Sequence, residues 1–300
     1  MKILYLGLPL GALMLLREGH DLVGACISRP AMPGMRRLRR LMAARNAPLL
    51  GRPDLSNTAV QTLLATTEPD LVVSWFWTRR IPATVLAAAT HGGVNVHPSL
   101  LPRHRGPDPY FWTLALGDEE TGVTAHWITS AYDEGEILSQ RAVRVPDRVN
   151  AWQLARALDR PSLEALRDVV RAIERGEVRG VAQDSARATQ APSPTDDDCE
   201  IAWDTPADLV VRRVRAAAPD PGAYTGFNDE TVVVLSARRL DRALRGLEPG
   251  DAVLLPDGVA VACARGQAVL LLEARREASG ERLRGRDIAA LFPGIASLEA

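Results

Sequence analysis

Two polar side chains, Asn95 and His97, stand in a short run that is otherwise apolar. Side chains two positions apart on a strand point to the same face, so Asn95 and His97 project together while Val94 and Val96 pack the other way. An imidazole can move a proton near neutral pH, and an amide can hold a developing oxyanion. The pair therefore indicates acyl-transfer chemistry.

A loop is expected directly after this strand. Pro98 has no N–H to give to a sheet ladder, and residues 98–106 contain two prolines and end on a glycine. In open α/β sheets, ligands sit at the carboxyl ends of the strands. The loop is therefore predicted to cross the carboxyl end of this strand, beside His97. We interpret His104, in the loop, and His126, in a later strand, as structural or rim residues.

An acidic turn supplies a third group for the site. It follows a second apolar strand, predicted over residues 123–128, and contains three carboxylates: Asp133, Glu134 and Glu136. A carboxylate that faces His97 would keep the imidazole basic and oriented. Residue types alone leave open which of the three carboxylates takes that place.

The first hundred residues alternate between strands and helices. Apolar runs predict strands over residues 3–6, 22–27, 70–75 and 94–97, with helices over 12–17, 58–65 and 82–89. This alternation predicts an α/β fold with a doubly wound, mostly parallel sheet. Gly7 and Gly11 lack the third glycine of a dinucleotide fingerprint, so a nicotinamide cofactor and a dehydrogenase are disfavoured.

Residues 35–45 predict an amphipathic helix with an arginine face, the Arg36–Arg45 helix. Leu38, Leu41 and Met42 recur at helical spacing on its apolar side. The basic face can be simply solvated, or it can contact the phosphates of tRNA or of a nucleotide-bearing acceptor.

Three consecutive aromatic-rich positions close the predicted strand at 70–75 and directly follow it: Trp75, Phe76 and Trp77. They can pack the core, or they can supply flat apolar walls for a ring-shaped ligand at the sheet end that also holds His97. A second aromatic run, residues 110–112, opens a predicted helix after Gly106.

The second half of the chain has a different composition. A long helix is predicted from Asn150, with Gln153 completing a capping box, and a polar, proline-containing stretch follows it. We predict domains at residues 1–185 and 200–300 with a linker at 186–199. A helix starting at Pro206 and several short strands with glycine turns predict a small OB-like β-barrel in the second domain.

Composition limits the class of protein. The 300 residues are 46% hydrophobic and 24% charged with a net charge of −1, which is typical of a soluble globular protein and not of a general polyanion binder. The three cysteines are far apart and show no zinc-ligand spacing, so no metal is predicted and a reducing cytoplasm is expected. Neither a signal peptide nor a membrane span is predicted.

A family resemblance rests on one long motif and three shorter ones. In chain order these are Asn95-x-His97-Pro98-Ser99-Leu100-Leu101-Pro102, Arg105-Gly106, Gly122-Val123-Thr124 and Asp133-x-Gly135. Together they resemble the 10-formyl-tetrahydrofolate-dependent formyltransferases, which include methionyl-tRNA formyltransferases and amino-sugar N-formyltransferases. The C-terminal third resembles the second domain of the same family more loosely.

The resemblance implies a function and a set of site residues. Asn95, His97 and Asp133 are implied to carry catalysis, and 10-formyl-tetrahydrofolate is implied as the formyl donor. The residues implied to bind the folate are Ser99, Leu100, Leu101 and Pro102 in the loop and Trp75, Phe76 and Trp77 beside the pterin ring.

The acceptor amine is not determined by the motif. Methionyl-tRNA is expected from the two-domain layout and the arginine helix. A nucleotide-linked amino sugar or a small amine such as hydroxyornithine is the alternative, which the aromatic run at 110–112 supports. A binding module with the same fold but without catalysis is a third possibility, and oligomeric state is not predicted.

Overall fold

Continuous apolar runs in the first hundred residues become the buried parallel strands of a seven-stranded sheet. A computed structural model describes residues 1–227, 230–244 and 246–297. The strands of the first sheet are β1 (Lys2–Gly7), β2 (Asp21–Ile27), β3 (Leu49–Gly51), β4 (Leu71–Trp75), β5 (Gly93–His97), β6 (Glu120–Trp127) and β7 (Ile137–Arg144). Their order is β3-β2-β1-β4-β5-β6-β7.

The strand directions confirm the predicted fold class. Strands β1 to β5 pair in parallel, whereas β6 and β7 are joined antiparallel to the β5 edge. The chain winds outward from β1 in one direction and from β4 in the other, which makes the sheet doubly wound. All five residues of β4 are buried, as expected for a strand covered on both faces.

Helices connect these strands and continue into the second half of the chain. They are α1 (Pro9–Arg17), α2 (Met35–Ala43), α3 (Thr58–Thr67), α4 (Ala83–Ala87), α5 (Pro109–Leu116), α6 (Ala151–Glu174), α7 (Asp196–Cys199) and α8 (Ala207–Ala217). In α2, Met35, Leu38 and Met42 are buried, so the predicted amphipathic helix is confirmed. In the described part of the chain, no helix combines the length and the apolarity needed to cross a membrane.

A second, mostly antiparallel sheet follows α8. Its strands are β8 (Ala223–Phe227), β9 (Glu230–Arg239), β10 (Ala252–Leu255), β11 (Gly258–Ala262), β12 (Ala268–Arg276), β13 (Arg282–Arg284) and β14 (Ala296–Ser297). The order is β14-β10-β11-β12-β9-β8, with β13 beside β12. The predicted β-rich C-terminal domain is confirmed, and the OB-like character of this sheet stays a prediction.

The chain forms two compact units. The first comprises Met1–Pro107, Glu120–Arg144 and Leu158–Ala191, and the second comprises Asp108–Glu119, Val145–Ala157 and the chain from Pro192 onward. The core of the second unit includes Phe111 of the aromatic run, and Trp112 and Tyr110 pack against that core. The bounds predicted from the sequence, 1–185 and 200–300 with a linker at 186–199, stay a prediction.

Candidate active site

Sheet register places three polar side chains in one row across β4, β5 and β6. Ser74 is the neighbour of Asn95, and Asn95 is the neighbour of His126. Directly opposed residues on adjacent strands have their side chains within contact distance on the same face. Polar residues from three distant parts of the sequence therefore meet near the carboxyl end of the parallel strands.

The amide of Asn95 is oriented by its two neighbours in this row. The Ser74 hydroxyl donates to Asn95 Oδ1 at 2.8 Å, and Asn95 Nδ2 lies 3.2 Å from His126 Nε2. The Nδ1 atom of His126 lies 2.8 Å from the carbonyl oxygen of Trp127, which can only accept. In the neutral ring the proton is thus on Nδ1, so Nε2 accepts from the amide. The second N–H of Asn95 has no acceptor among the described residues.

A second row holds the loop that follows β5. Thr124 lies beside His97 on β6, and Gln140 lies beside Thr124 on β7. The Thr124 hydroxyl donates to the carbonyl of Ser99 at 2.7 Å and accepts from the amide N–H of Leu101 at 3.1 Å. The side chain of Gln140 donates to the carbonyl of Leu101 at 2.7 Å. The predicted loop is therefore held against the sheet by Thr124, which belongs to the Gly122-Val123-Thr124 motif, and by Gln140, which no sequence motif contains.

His97 is buried, and each ring nitrogen has a defined neighbour. Nε2 donates to the carbonyl oxygen of His104 at 2.8 Å, and Nδ1 lies 3.5 Å from Asp133 Oδ2. Burial lowers the pKa of His97 below its ordinary value of 6.5, although the Asp133 carboxylate acts to raise it. The neutral ring therefore carries its proton on Nε2 and directs the lone pair of Nδ1 toward Asp133.

Asp133 is the carboxylate that reaches His97. Its Oδ2 accepts the Gly106 N–H at 3.0 Å, and its Oδ1 lies 3.4 Å from His126 Nε2. Burial acts to raise the pKa of Asp133, but the positive charge that the His97 and His126 imidazoles carry when protonated, a hydrogen bond to His126 and the Gly106 amide outweigh it and hold this pKa at about 2. The carboxylate is ionised at neutral pH.

The two other carboxylates of the acidic turn have different surroundings. Glu134 pairs with Arg105 at 3.2 Å, and Glu136 is exposed and lies against Gly180. The structure thus resolves the choice that residue types left open. The turn ends at Glu136, because Ile137 begins β7.

His104 and His126 are both buried, so neither lies at a rim. The carbonyl of His104 fixes the proton of His97, and the ring of His126 lies between Asn95 and Asp133. A structural role for both fits the sequence interpretation.

The sequence signal for Ser74 was weak: a single hydroxyl in an otherwise apolar strand.

The residues expected to bind folate lie in two places. Ser99 and Leu101 are buried in the loop held by Thr124, and Trp75 is buried with its indole N–H donating to Ser162 at 3.0 Å. Trp77 lines a cavity of about 420 Å³ that Arg79 and Arg80 also line. Phe76 packs its ring edge-on against Trp75 with ring centres 4.7 Å apart. The folate-binding roles of Ser99, Leu100, Leu101, Pro102 and the three aromatics stay predictions.

This arrangement combines an amide donor, a neutral imidazole and an ionised carboxylate at the carboxyl end of a doubly wound sheet. Two family models match the chain. The formyl transferase model covers residues 36–170, and the model of the formyl transferase C-terminal domain covers residues 194–292.

Curated relatives agree with these matches. The chain is 36% identical over 290 residues to the methionyl-tRNA formyltransferase of Anaeromyxobacter dehalogenans, covering 92% of this chain and 93% of that protein. It is 32% identical over 282 residues to the methionyl-tRNA formyltransferase of Syntrophus aciditrophicus, covering 90% and 89%. The chain belongs to the formyl transferase family.

Solved structures with a similar fold include two further kinds of protein. HypX from Aquifex aeolicus in complex with tetrahydrofolic acid matches with a TM-score of 0.71 and 19% identity, over all of this chain and 49% of that one. An N-formyltransferase from Helicobacter canadensis, in complex with folinic acid and dTDP-3-aminofucose, matches with a TM-score of 0.69 and 12% identity, over 90% and 98%. The chain spans about half the length of HypX. At these identities the likeness concerns the fold alone.

Proposed function

We propose that this protein transfers the formyl group of 10-formyl-tetrahydrofolate to the amino group of methionyl-tRNA. Relatives named methionyl-tRNA formyltransferase match more than nine-tenths of the chain. The observation that carries the chemistry is the contact between His97 and Asp133, 3.5 Å apart, beside an Asn95 amide held by Ser74 and His126. The cytoplasm is proposed as the compartment, because all three cysteines are buried free thiols.

In the proposed reaction, the acceptor amine forms a C–N bond to the formyl carbon. The carbonyl oxygen becomes negatively charged, and the free N–H of Asn95 donates to it. Because Asn95 is already oriented by hydrogen bonds, little reorganisation is needed when the charge develops.

The attacking amine must lose a proton. His97 accepts it at Nδ1, and the nearby Asp133 carboxylate stabilises the imidazolium that forms. The bond between the formyl carbon and N10 of the folate then breaks, and the proton returns from His97 to the leaving nitrogen. The products are the N-formylated acceptor and tetrahydrofolate, so atoms and charge balance.

A smaller acceptor is the alternative raised by the aromatic run at 110–112. In the structure Phe111 is buried in the core of the second unit, and Trp112 donates its indole N–H to the carbonyl of Pro192 at 2.8 Å. Two of the three aromatics thus have packing roles of their own. Support for a nucleotide-linked amino sugar or a small amine is correspondingly reduced.

Formyl transfer from 10-formyl-tetrahydrofolate should be measured with three acceptor pools in parallel: methionyl initiator tRNA, nucleotide-linked amino sugars, and small amines including hydroxyornithine. We expect turnover with the tRNA alone. Turnover with a small acceptor alone would show that the small amine, and not methionyl-tRNA, is the substrate. No turnover in any of the three pools would overturn the proposed reaction. His97→Ala serves as the inactive control in each pool.

A further inference from the structure

The segment that follows α6 contacts both loops of the candidate site. We name residues 181–191 the strap. Val181 exchanges two backbone hydrogen bonds with Ile137, at 2.8 and 2.9 Å, immediately after the acidic turn. Farther along, the carbonyl of Thr189 accepts from Arg105 N–H at 2.9 Å, and its hydroxyl accepts from His104 N–H at 2.8 Å. The strap thus joins the loop that fixes His97 to the turn that carries Asp133.

Gln183 lies in the middle of the strap and uses both ends of its amide. Its Nε2 donates to the carbonyl of Asp133 at 2.7 Å and to the carbonyl of Gly135 at 2.8 Å. Its Oε1 accepts from Arg105 Nε at 3.1 Å and from the guanidinium NH2 at 2.8 Å. A guanidinium only donates, so Arg105 must face the oxygen and the amide group must face the two carbonyls. The orientation of Gln183 is therefore determined by its partners.

The turn that Gln183 contacts has an unfavourable backbone conformation. Asp133 has a φ of 55°, in the left-handed region that residues with a Cβ seldom adopt. Gly135 must be glycine, because a Cβ there would lie 1.8 Å from the carbonyl oxygen of Trp127. Such a conformation persists only when surrounding contacts hold it. Gln183 supplies two such contacts, because it donates to the carbonyls of Asp133 and Gly135, the residues on either side of Glu134.

We propose that Gln183, held by Arg105, is a positioning residue for formyl transfer: it clamps the turn so that the Asp133 carboxylate faces His97. Gln183 acts through Asp133 and does not reach the reacting atoms. The inference rests on the proposed function, because it assigns Asp133 and His97 to proton transfer. It also gives the strap, part of which was predicted to be an interdomain linker, a role in the site.

Kinetics of two substitutions test the clamp. Gln183→Ala removes both donated hydrogen bonds, and Gln183→Glu keeps the size of the side chain but faces two carbonyls with an oxygen that cannot donate. We expect kcat to fall about 10- to 100-fold in both, because small displacements of a catalytic group cost rate steeply. The KM for the folate donor should stay within about twofold of the unmodified protein, since uniform binding is unaffected.

The matched controls are Gln190→Ala and Gln190→Glu, the same changes at an exposed glutamine of the strap. Both controls should retain the kcat of the unmodified protein. A kcat within about twofold of the unmodified protein in both Gln183 variants would overturn the clamp while leaving the proposed function intact.

The pH profile separates positioning from a general loss of folding. Among the groups that face His97, Asp133 acts to raise its pKa, whereas His104 and His126 act to lower it. If Asp133 moves away in Gln183→Ala, the acid limb of kcat/KM should shift to lower pH. If the acid limb of kcat/KM keeps its position in Gln183→Ala and only the maximal kcat/KM falls, the clamp would be contradicted.

Hydrogen–deuterium exchange provides a readout that does not depend on turnover. Amides of residues 131–136 should exchange faster in Gln183→Ala than in Gln190→Ala. Unchanged exchange would overturn the clamp, even if no acceptor were found and the proposed reaction failed. If these amides exchange faster in Gln183→Ala and no acceptor pool gives turnover, the result would support the clamp and overturn only the proposed reaction.

Discussion

Asn95 and His97 take their orientation from uncharged neighbours. The Ser74 hydroxyl binds the oxygen of the Asn95 amide, and the His104 carbonyl binds one nitrogen of His97. The first contact excludes the flipped orientation of the Asn95 amide, and the second excludes the other tautomer of the neutral His97 ring. At this scale, the proposed chemistry depends on hydrogen bonds that a search for charged residues alone would miss.

His97→Ala should lower kcat by about 10²–10⁴-fold, because it removes the group proposed to accept the amine proton. The measurement is steady-state formyl transfer with the proposed acceptor, methionyl-tRNA. His91→Ala is the matched control, since His91 is exposed just before β5. Near-full turnover in His97→Ala would refute the assignment.

Ser74→Ala should reduce kcat by about tenfold, less than the 10²–10³-fold expected for Asn95→Ala. The reason is that the Asn95 amide stays in place but loses the 2.8 Å hydrogen bond that orients it. The test is a double-mutant cycle: Ser74→Ala should have no further effect in the Asn95→Ala background. Additive losses would show that Ser74 acts elsewhere.

Asp133→Asn should move the acid limb of kcat/KM to lower pH. In the proposed mechanism His97 acts as a base only when neutral, so activity should fall as the pH drops through its pKa, which burial places below 6.5. The Asp133 carboxylate acts to raise that pKa, and its removal lowers the pKa further. Glu136→Gln, an exposed carboxylate of the same turn, should leave the limb in place. A shift of the limb to higher pH in Asp133→Asn would contradict the assignment.

Helix α6 shows how much local sequence decides at the scale of elements. Asn150 Oδ1 accepts from Gln153 N–H at 2.9 Å, and Gln153 Oε1 accepts from Asn150 N–H at 3.0 Å. This is the capping box that the sequence predicted, and the helix begins at Ala151. Two residues three positions apart suffice to predict such a start, because the contacts are local.

Asn150→Ala should lower the free energy of unfolding by about 1 kcal/mol, since it leaves the N–H of Gln153 without its side-chain partner. Urea unfolding monitored by circular dichroism measures the change. Asp147→Ala, at an exposed position upstream of the cap, should stay within about 0.5 kcal/mol of the unmodified protein. An equal loss in both variants would argue against the cap as the cause.

Two strands of the first sheet, β3 and β7, are not predicted from the sequence, for a physical reason. In β7, Arg141 and Gln140 interrupt the apolar pattern and alternate positions are exposed, so the composition resembles a polar turn. Strand β3 has only three residues, too few for a periodic signal. Both are edge positions of the first sheet, where pairing with a neighbour rather than local pattern determines the strand.

At the scale of the whole molecule, the arginine face of α2 bears on the identity of the acceptor. The arginines of α2 are exposed, whereas Met35, Leu38 and Met42 are buried beneath them. Such a face is either solvated or bound to the phosphates of a tRNA acceptor. Salt dependence distinguishes the two cases, because each phosphate contact releases counterions.

Replacing Arg36, Arg37, Arg39 and Arg40 with Gln should raise the KM for methionyl-tRNA and flatten its salt dependence. The slope of log kcat/KM against log salt should become less steep by about 0.7–0.9 for each phosphate group that the helix no longer neutralises. Arg160→Gln with Arg175→Gln, two exposed arginines at other positions, is the control. Identical slopes in the four-arginine variant and the unmodified protein would show that the arginine face of α2 is solvated and does not contact phosphates.

The sequence by itself determined the α/β class, the strand that ends on Asn95 and His97, and the family, because these depend on local periodicity and on one contiguous motif. It also predicted Asp133 through the family resemblance, but residue types could not separate it from Glu134 and Glu136. Only the tertiary structure decided which carboxylate reaches His97, since that contact joins residues 36 positions apart across the sheet edge.

The tertiary structure also decided which neighbours orient the site. Ser74 and His126 meet Asn95 through strand register, and Gln183 reaches Asp133 from the strap, 50 residues away. Such contacts form because burial of apolar side chains brings distant segments of the chain together. A pattern read along the sequence does not show which distant segments will meet.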